Sequence, residues 1–252
     1  MKKVYFASDM HLGSDVFEDP KIVEKRFVHW LDSIKNDAQA LYLLGDIFDF
    51  WYEYKYVIPR GFTRFLGKIS EMTDAGIEIH FFTGNHDIWM YDYLPQETGV
   101  IVHKKPLVET INGKCFYLAH GDGLGDHSRP FKLARWLFHN KICQKLFGSI
   151  HPRWSFRFAH AWSKHSRKTG LANPAGYFGE EKESLVLYAK QYIQQHPETD
   201  YLIFGHRHIL LDLMLSHQSH MLIIGDWLQY FSYAVFDGKE LFLEQFEERP
   251  QP

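Results

Sequence analysis

Five short polar clusters carry side chains that could hold metal ions or move protons: Asp9-Met10-His11, Gly45-Asp46-Ile47-Phe48-Asp49, Gly84-Asn85-His86-Asp87, His120-Gly121-Asp122 and Gly205-His206-Arg207-His208. Collected, Asp9, His11, Asp46, Asn85, His120, His206 and His208 offer two carboxylates, one amide and four imidazoles. Seven donors are too many for one divalent ion. They suit two ions if a carboxylate is shared, and ions ~3.5–4 Å apart form the clamp used for displacement at phosphorus. Mixed imidazole and oxygen donors suit Mn, Fe or Zn and disfavour Ca. In extended chain, residues two apart point the same way, so Asp9 with His11, and His206 with His208, can each present a pair to one site.

Taken singly, Asp-x-His is a weak signal, and Gly-Asn-His-Asp and Gly-His-x-His are moderate ones. The chain has 16 histidines, so chance pairs are expected, and Gly, Asn and Asp also make ordinary turns. The apolar runs that introduce the clusters set them apart. Val4–Ala7, Ala40–Leu44, Ile77–Phe82, Cys115–Ala119 and Tyr201–Phe204 are short and rich in aromatic or branched residues, which predicts strands. Helix-spaced segments at Pro20–Ile34 and Arg64–Met72 lie between the early strands. Strand alternating with helix predicts a layered α/β fold, where ligands bind beyond the carboxyl ends of the strands. His217 and His220 lack a strand-end Gly or carboxylate, so they are set aside as surface or packing residues, with His29, His80, His103, His139 and His196.

With 252 residues, 45% hydrophobic and 23% charged, the chain matches soluble globular proteins and neither disordered nor membrane-spanning classes. The apolar start is broken by Ser8 and Asp9, short of a signal peptide, and no run approaches the ~20 residues of a membrane span. Export and insertion are therefore unsupported. Cys115 and Cys143, the two cysteines, are expected as reduced, buried thiols. Downstream, Leu222–Trp227 and Tyr233–Phe236 read as strands finishing the second sheet, with a hairpin turn at Asp237-Gly238 leading into Leu241–Leu243.

The middle of the chain is chemically distinct. Residues 127–179 contain ten Lys or Arg and no Asp or Glu, leaving 18 basic against 31 acidic residues elsewhere, a balance of −13. Phe131, Trp136, Phe138, Phe147, Trp154, Phe156, Phe158 and Trp162 lie in the same stretch, and Phe131, Ala134, Phe138, Ile142 and Leu146 recur at helical spacing. Two basic, aromatic helices broken near Gly148–Pro152 are expected as a cap inserted between the fourth and fifth clusters. Solvated helix faces usually mix signs, so an anionic, partly apolar partner fits best, such as an anionic membrane surface. A single-stranded nucleic-acid groove has a similar composition and is the less favoured alternative.

The set Asp-x-His, Gly-Asp-x-x-Asp, Gly-Asn-His-Asp, His-Gly-Asp and Gly-His-x-His, running from Asp9 to His208, resembles the calcineurin-like metallophosphoesterases. That resemblance implies a four-layer αββα sandwich in a single domain, 1–252, with the inserted cap at 127–179. It implies one ion on Asp9, His11, Asp46 and His208, and a second on Asp46, Asn85, His120 and His206, with Asp46 bridging. A hydroxide bridging the two ions would attack phosphorus, with His86 as charge stabiliser or proton donor and Asp49 or Asp87 orienting its ring. With the basic insertion, the chain is similar to the UDP-2,3-diacylglucosamine pyrophosphohydrolase branch of the family. This implies release of UMP and 2,3-diacylglucosamine 1-phosphate in lipid A biosynthesis, two Mn ions with Fe or Zn as alternatives, and a peripheral position on the cytoplasmic face of the inner membrane. No obligate protein partner is implied. Asp122, Lys164, Ser166, Arg167 and Lys168 are the expected substrate contacts. Many members of the branch carry Arg where this chain has His86. A general phosphodiesterase acting on nucleic acid or a cyclic nucleotide is therefore the alternative function.

Overall fold

The computed structural model of the protein describes residues 2–125, 129–159, 161 and 176–247. Among the described residues there are eleven strands, the first four separated by helices: β1 (Lys3–Ala7), α1 (Ile22–Ile34), β2 (Ala38–Leu43), α2 (Thr63–Asp74), β3 (Glu78–Phe82), α3 (Tyr93–Thr98), β4 (Ile101–His103), β5 (Leu107–Ile111) and β6 (Lys114–Ala119) come first. Then follow α4 (Arg129–His139), α5 (Lys141–Gly148) and α6 over residues 152–159. The chain ends with α7 (Ser184–Gln195), β7 (Tyr201–Phe204), β8 (Leu210–Met214), β9 (His220–Ile224), β10 (Ser232–Phe236) and β11 (Leu241–Gln245). Two sheets form, in the orders β11-β10-β1-β2-β3-β4 and β5-β6-β7-β9-β8.

Strand alternation assigns each face to a layer, because successive side chains point to opposite sides. Tyr5, Ala7, Leu41, Leu43, Ile79 and Phe81 join Phe27, Trp30, Phe65 and Ile69 of α1 and α2 in one core. Val4, Phe6, Tyr42 and Phe82 meet Phe116, Leu118, Ile203 and Leu222 in a second core between the sheets. Tyr117, Ala119, Leu202 and Phe204 pack against Leu185, Val186 and Ala189 of α7 in a third. The parallel strands are thus buried on both faces, as crossover-connected sheets require. The result is a four-layer αββα sandwich.

Three expectations need correction. β10 and β11 do not extend the second sheet; β10 pairs antiparallel with β1, with Val4 opposite Phe236, and carries β11 on its other side. Either sheet would satisfy their alternating pattern, and the turn at 225–231 carries the chain across. The helical spacing from Phe131 to Leu146 does not make one helix: Asn140 ends α4 and starts α5 by accepting hydrogen bonds from the amides of Ile142 and Cys143, a strong N-cap arrangement. Cys115 and Cys143 are free thiols, but only partly buried.

Candidate active site

The five polar clusters meet where β1, β2, β3, β6 and β7 end. Among the described residues eight non-glycine positions have positive φ, and five of them are Asp9 (56°), His11 (45°), Asp46 (52°), His206 (68°) and His208 (49°). Side chains disfavour this region, and such conformations persist where the surroundings hold them. Here the backbone amides of Asp9 and His11 donate to the carbonyls of Gly45 and Asp46, and the Trp227 amide donates to the Asp9 carbonyl. The loops are thereby tied to one another before any ligand is considered.

Close approach explains one glycine. A Cβ at Gly84 would collide with the Asp46 carboxylate and its backbone nitrogen. Glycine at 84 therefore lets the third cluster lie against the second.

The ligand atoms fall into three overlapping groups: Asp9, His11 and His208; His11, Asp46 and His86; and Asp46, His120 and His206. Asp46 stands between the outer two. Its Oδ2 is 3.4 Å from His120 Nε2 and 3.8 Å from His11 Nε2, while its Oδ1 accepts the His86 amide at 2.8 Å. Asn85 Oδ1 lies 3.2 Å from His120 Nε2. Asp9 Oδ2 accepts the His206 amide; its buried Oδ1 has no hydrogen-bond partner among the described residues and sits 3.3 Å from His208 Nε2.

Outer groups aim the rings. His120 Nδ1 donates to the Leu44 carbonyl at 2.8 Å, His208 Nδ1 lies 3.0 Å from Asp226 Oδ2, and His11 Nδ1 is 3.5 Å from Asp49 Oδ1. Each contact leaves Nε2 for the centre, the support that metal-bound imidazoles ordinarily have. As a result the Nε2 atoms of His11 and His208 face each other at 3.3 Å. Two nitrogens, an unpartnered carboxylate oxygen and a shared carboxylate make a donor set that fits divalent cations.

Electrostatics agree with that fit. Burial disfavours charge on His208, yet Asp9 and Asp226 raise it to about 9. Burial likewise opposes charge on His120, but Asp46 lifts it well above the ordinary range. Burial would raise Asp46, and the His120 and His86 charges instead hold it well below. His206, buried beside His120, drops to about 3, and burial also lowers His11 against the pull of Asp49. The carboxylates therefore demand positive charge, which protons supply in the metal-free protein and bound cations would replace.

Of the two carboxylates expected beside His86, Asp49 is the one at the ring: its carbonyl accepts from His86 Nδ1 at 2.9 Å, and its Oδ1 is 3.9 Å away. Asp87 instead accepts backbone amides, from Gly84 on Oδ1 and from Ile47 and Phe48 on Oδ2. Its position joins the second and third clusters, and these contacts fasten the two loops together. Asp122 lies outside the three ligand groups; Arg135 of α4 donates to its carbonyl at 2.8 Å, and burial raises its carboxyl. Lys164, Ser166, Arg167 and Lys168 lie outside the described residues.

Asp226 is a site residue that the sequence reading does not include. A signal is present, since Ile223-Ile224-Gly225-Asp226 repeats the strand-then-Gly-Asp pattern of Leu43-Leu44-Gly45-Asp46. It is faint because Asp226 has no neighbouring His or Asn in sequence. Its second oxygen accepts the amides of Leu228, Gln229 and Tyr230.

Known proteins resemble this chain along most of its length. The family model described as calcineurin-like phosphoesterase matches residues 2–210. A UDP-2,3-diacylglucosamine hydrolase from Porphyromonas gingivalis is 46% identical, with 98% of each chain covered. A protein of the same name from Neisseria meningitidis serogroup A is 27% identical, with 94% of this chain and 95% of the relative covered. Among solved structures, the E. coli phosphoesterase Yfce is 14% identical, with a TM-score of 0.45, covering 95% of this chain and 91% of that one.

Proposed function

The chain belongs to the calcineurin-like phosphoesterase family, and we propose that it cleaves the pyrophosphate of UDP-2,3-diacylglucosamine to UMP and 2,3-diacylglucosamine 1-phosphate. It is a metal-dependent hydrolase of phosphoric esters or pyrophosphates. The observation that carries the substrate is the 46% identity to the Porphyromonas gingivalis hydrolase over nearly the full length of both chains, supported by the overlapping groups of candidate metal ligands. Two divalent ions, Mn in this reading, acidify water and draw charge from phosphoryl oxygens when bound.

The protein's own residues hold and orient. Asp9, His11 and His208 form one end of the cradle, Asn85, His120 and His206 the other, and Asp46 is common to both. The Asp49 carbonyl can only accept, so His86 Nδ1 is the donor in that contact. As the imidazolium, which carries a proton on both nitrogens, His86 would stabilise charge on the phosphoryl group or protonate the departing oxygen.

The helices α4, α5 and α6 form the cap. Phe138 and Phe147 pack against Trp89, and Phe147 and Phe156 against Phe50. Their other faces expose Leu133, Trp136, Leu137, Ile142, Leu146, Trp154 and Phe158 beside exposed Arg135, Lys141, Lys145, Arg153 and Arg157. No helix among the described residues is long and apolar enough to cross a membrane. Exposed apolar side chains among basic ones suit the surface of an anionic bilayer. The cap would thus face the lipid, shelter the acyl chains and hold the enzyme peripherally on the inner membrane's cytoplasmic face. Lys164, Ser166, Arg167 and Lys168, which lie outside the described residues, remain candidates for substrate binding in this reading.

The test is a comparison of substrates with the purified, manganese-loaded protein: UDP-2,3-diacylglucosamine, an aryl phosphodiester and a cyclic nucleotide. Preference for the lipid is expected. Turnover of the generic ester alone would leave the general phosphodiesterase alternative.

A further inference from the structure

Beyond the β6 and β7 ends of the centre lies a cavity of about 270 Å³. Phe178, Lys182, Glu183, Ser184 and Arg207 line it together with the Gly121–Leu124 loop. His206 also lines it and belongs to the Asp46, His120 and His206 group. A phosphoryl group held at that group would therefore lie beside the cavity.

Three features restrict the occupant. The volume lies slightly below the ~300–1,000 Å³ of pockets that enclose drug-sized ligands, which suits one compact ring system and not an acyl chain. Arg207 is clamped by Glu183, its Nε and Nη2 donating to the two carboxylate oxygens at 2.7 and 2.9 Å. Its charge is thus matched by the Glu183 carboxylate, which also lines the cavity and disfavours a second phosphate beside Arg207. Phe178 is largely exposed, with the Arg207 guanidinium 5.1 Å from its ring centroid. An aromatic ring fixed on one side by a held cation and open elsewhere is a platform for a flat, polar ring. The cap's aromatic contacts with Phe50 and Trp89 belong to the β2 and β3 loops, so an apolar substrate portion would occupy different strands' territory.

We infer that this cavity is a nucleoside subsite, in which Phe178 stacks on the base while Lys182 and Ser184 hydrogen-bond to base or ribose. The assignment rests on the nucleotide-linked substrate proposed above and deepens it. It locates the leaving or retained nucleotide on the His206 side and the lipid portion under the cap.

Calorimetric binding of UMP to the manganese-loaded protein tests it. Phe178→Ala should weaken UMP about tenfold, the effect of losing one base-aromatic stack, whereas Phe178→Tyr should restore affinity close to that of the unmodified protein. Glucosamine 1-phosphate should bind both variants as it binds the unmodified protein, and melting temperatures should agree because Phe178 is not a core residue. Unchanged UMP affinity in Phe178→Ala, no UMP binding to the unmodified protein, or a larger loss for glucosamine 1-phosphate than for UMP would overturn the subsite. Failure of the lipid reading is separable. A protein that shows Phe178-dependent UMP binding but does not cleave UDP-2,3-diacylglucosamine retains the subsite and loses the substrate. One that cleaves the lipid with Phe178-independent UMP binding retains the substrate and loses the subsite.

Discussion

Asp226 Oδ2 lies 3.0 Å from Nδ1 of His208, and its other oxygen is fixed by three backbone amides. Because Oδ1 is held, Asp226→Asn would turn an NH₂ toward the imidazole and remove the acceptor that selects its tautomer. Loss of such an outer partner typically weakens metal binding 10–100-fold. Titration of the variant with Mn should show that loss, with activity recovering in excess metal.

Gly84 tolerates no side chain. In Gly84→Ala the new Cβ would meet the Asp46 carboxylate and amide, and overpacking of this kind costs about 1–3 kcal/mol. Denaturant unfolding should show the destabilisation, and metal content should fall with it because Asp46 must move.

His86 and His120 should separate by role. His120→Ala removes an Nε2 lying 3.4 Å from Asp46 and should reduce metal occupancy. His86→Ala should retain the ions while lowering turnover by ~10²–10⁴-fold, the usual contribution of a positioned proton-transfer group. Metal analysis beside single-turnover rates distinguishes them; equal metal loss in both variants would refute the division.

Much of this arrangement was legible because each cluster is local. Gly45-Asp46 and Gly84-Asn85 follow buried strands directly, so sequence order alone brings them to one edge. The Asp49 and Asp87 roles were not separable that way. Both lie close to His86 in sequence or in the expected fold, and only hydrogen-bond geometry shows Asp87 occupied by backbone amides. Likewise the interchange of β10 between sheets depends on tertiary pairing with β1, since its apolar alternation fits either edge. In the cap, Asn140 stops a helix whose apolar spacing continues through it, so a local cap overrides the periodicity.

Protons and metal should compete. His208 is raised from 6.5 to about 9 in the metal-free protein, so its charged form contributes stability that is complete below about pH 6.5 and lost as pH rises through about 9. A metal-bound His208 must be neutral, so its contribution has the opposite sign: stability grows as pH rises through 6.5 and the unfolded chain loses its proton. Melting temperatures of chelated and manganese-loaded protein should diverge between these limits. Calorimetric titration in buffers of different ionisation enthalpy should also detect proton release on metal binding near pH 7.5.

Cap docking should govern lipid recognition. Trp89 Nε1 donates to the Phe138 carbonyl at 2.9 Å, and the Tyr52 hydroxyl donates to the Gln144 carbonyl at 2.9 Å. Removing both donors in Trp89→Phe/Tyr52→Phe should raise KM for the lipid about three- to tenfold, the scale of one or two modest hydrogen bonds. Hydrolysis of a small aryl phosphodiester should be nearly unchanged.

The most direct measurement is UMP release from UDP-2,3-diacylglucosamine as Mn is added back to chelated protein. Activity should rise from background and saturate at two ions per chain, with UMP and 2,3-diacylglucosamine 1-phosphate formed in equal amounts. No UMP at any metal loading, or full activity in the chelated protein, would contradict a two-ion centre acting on this pyrophosphate.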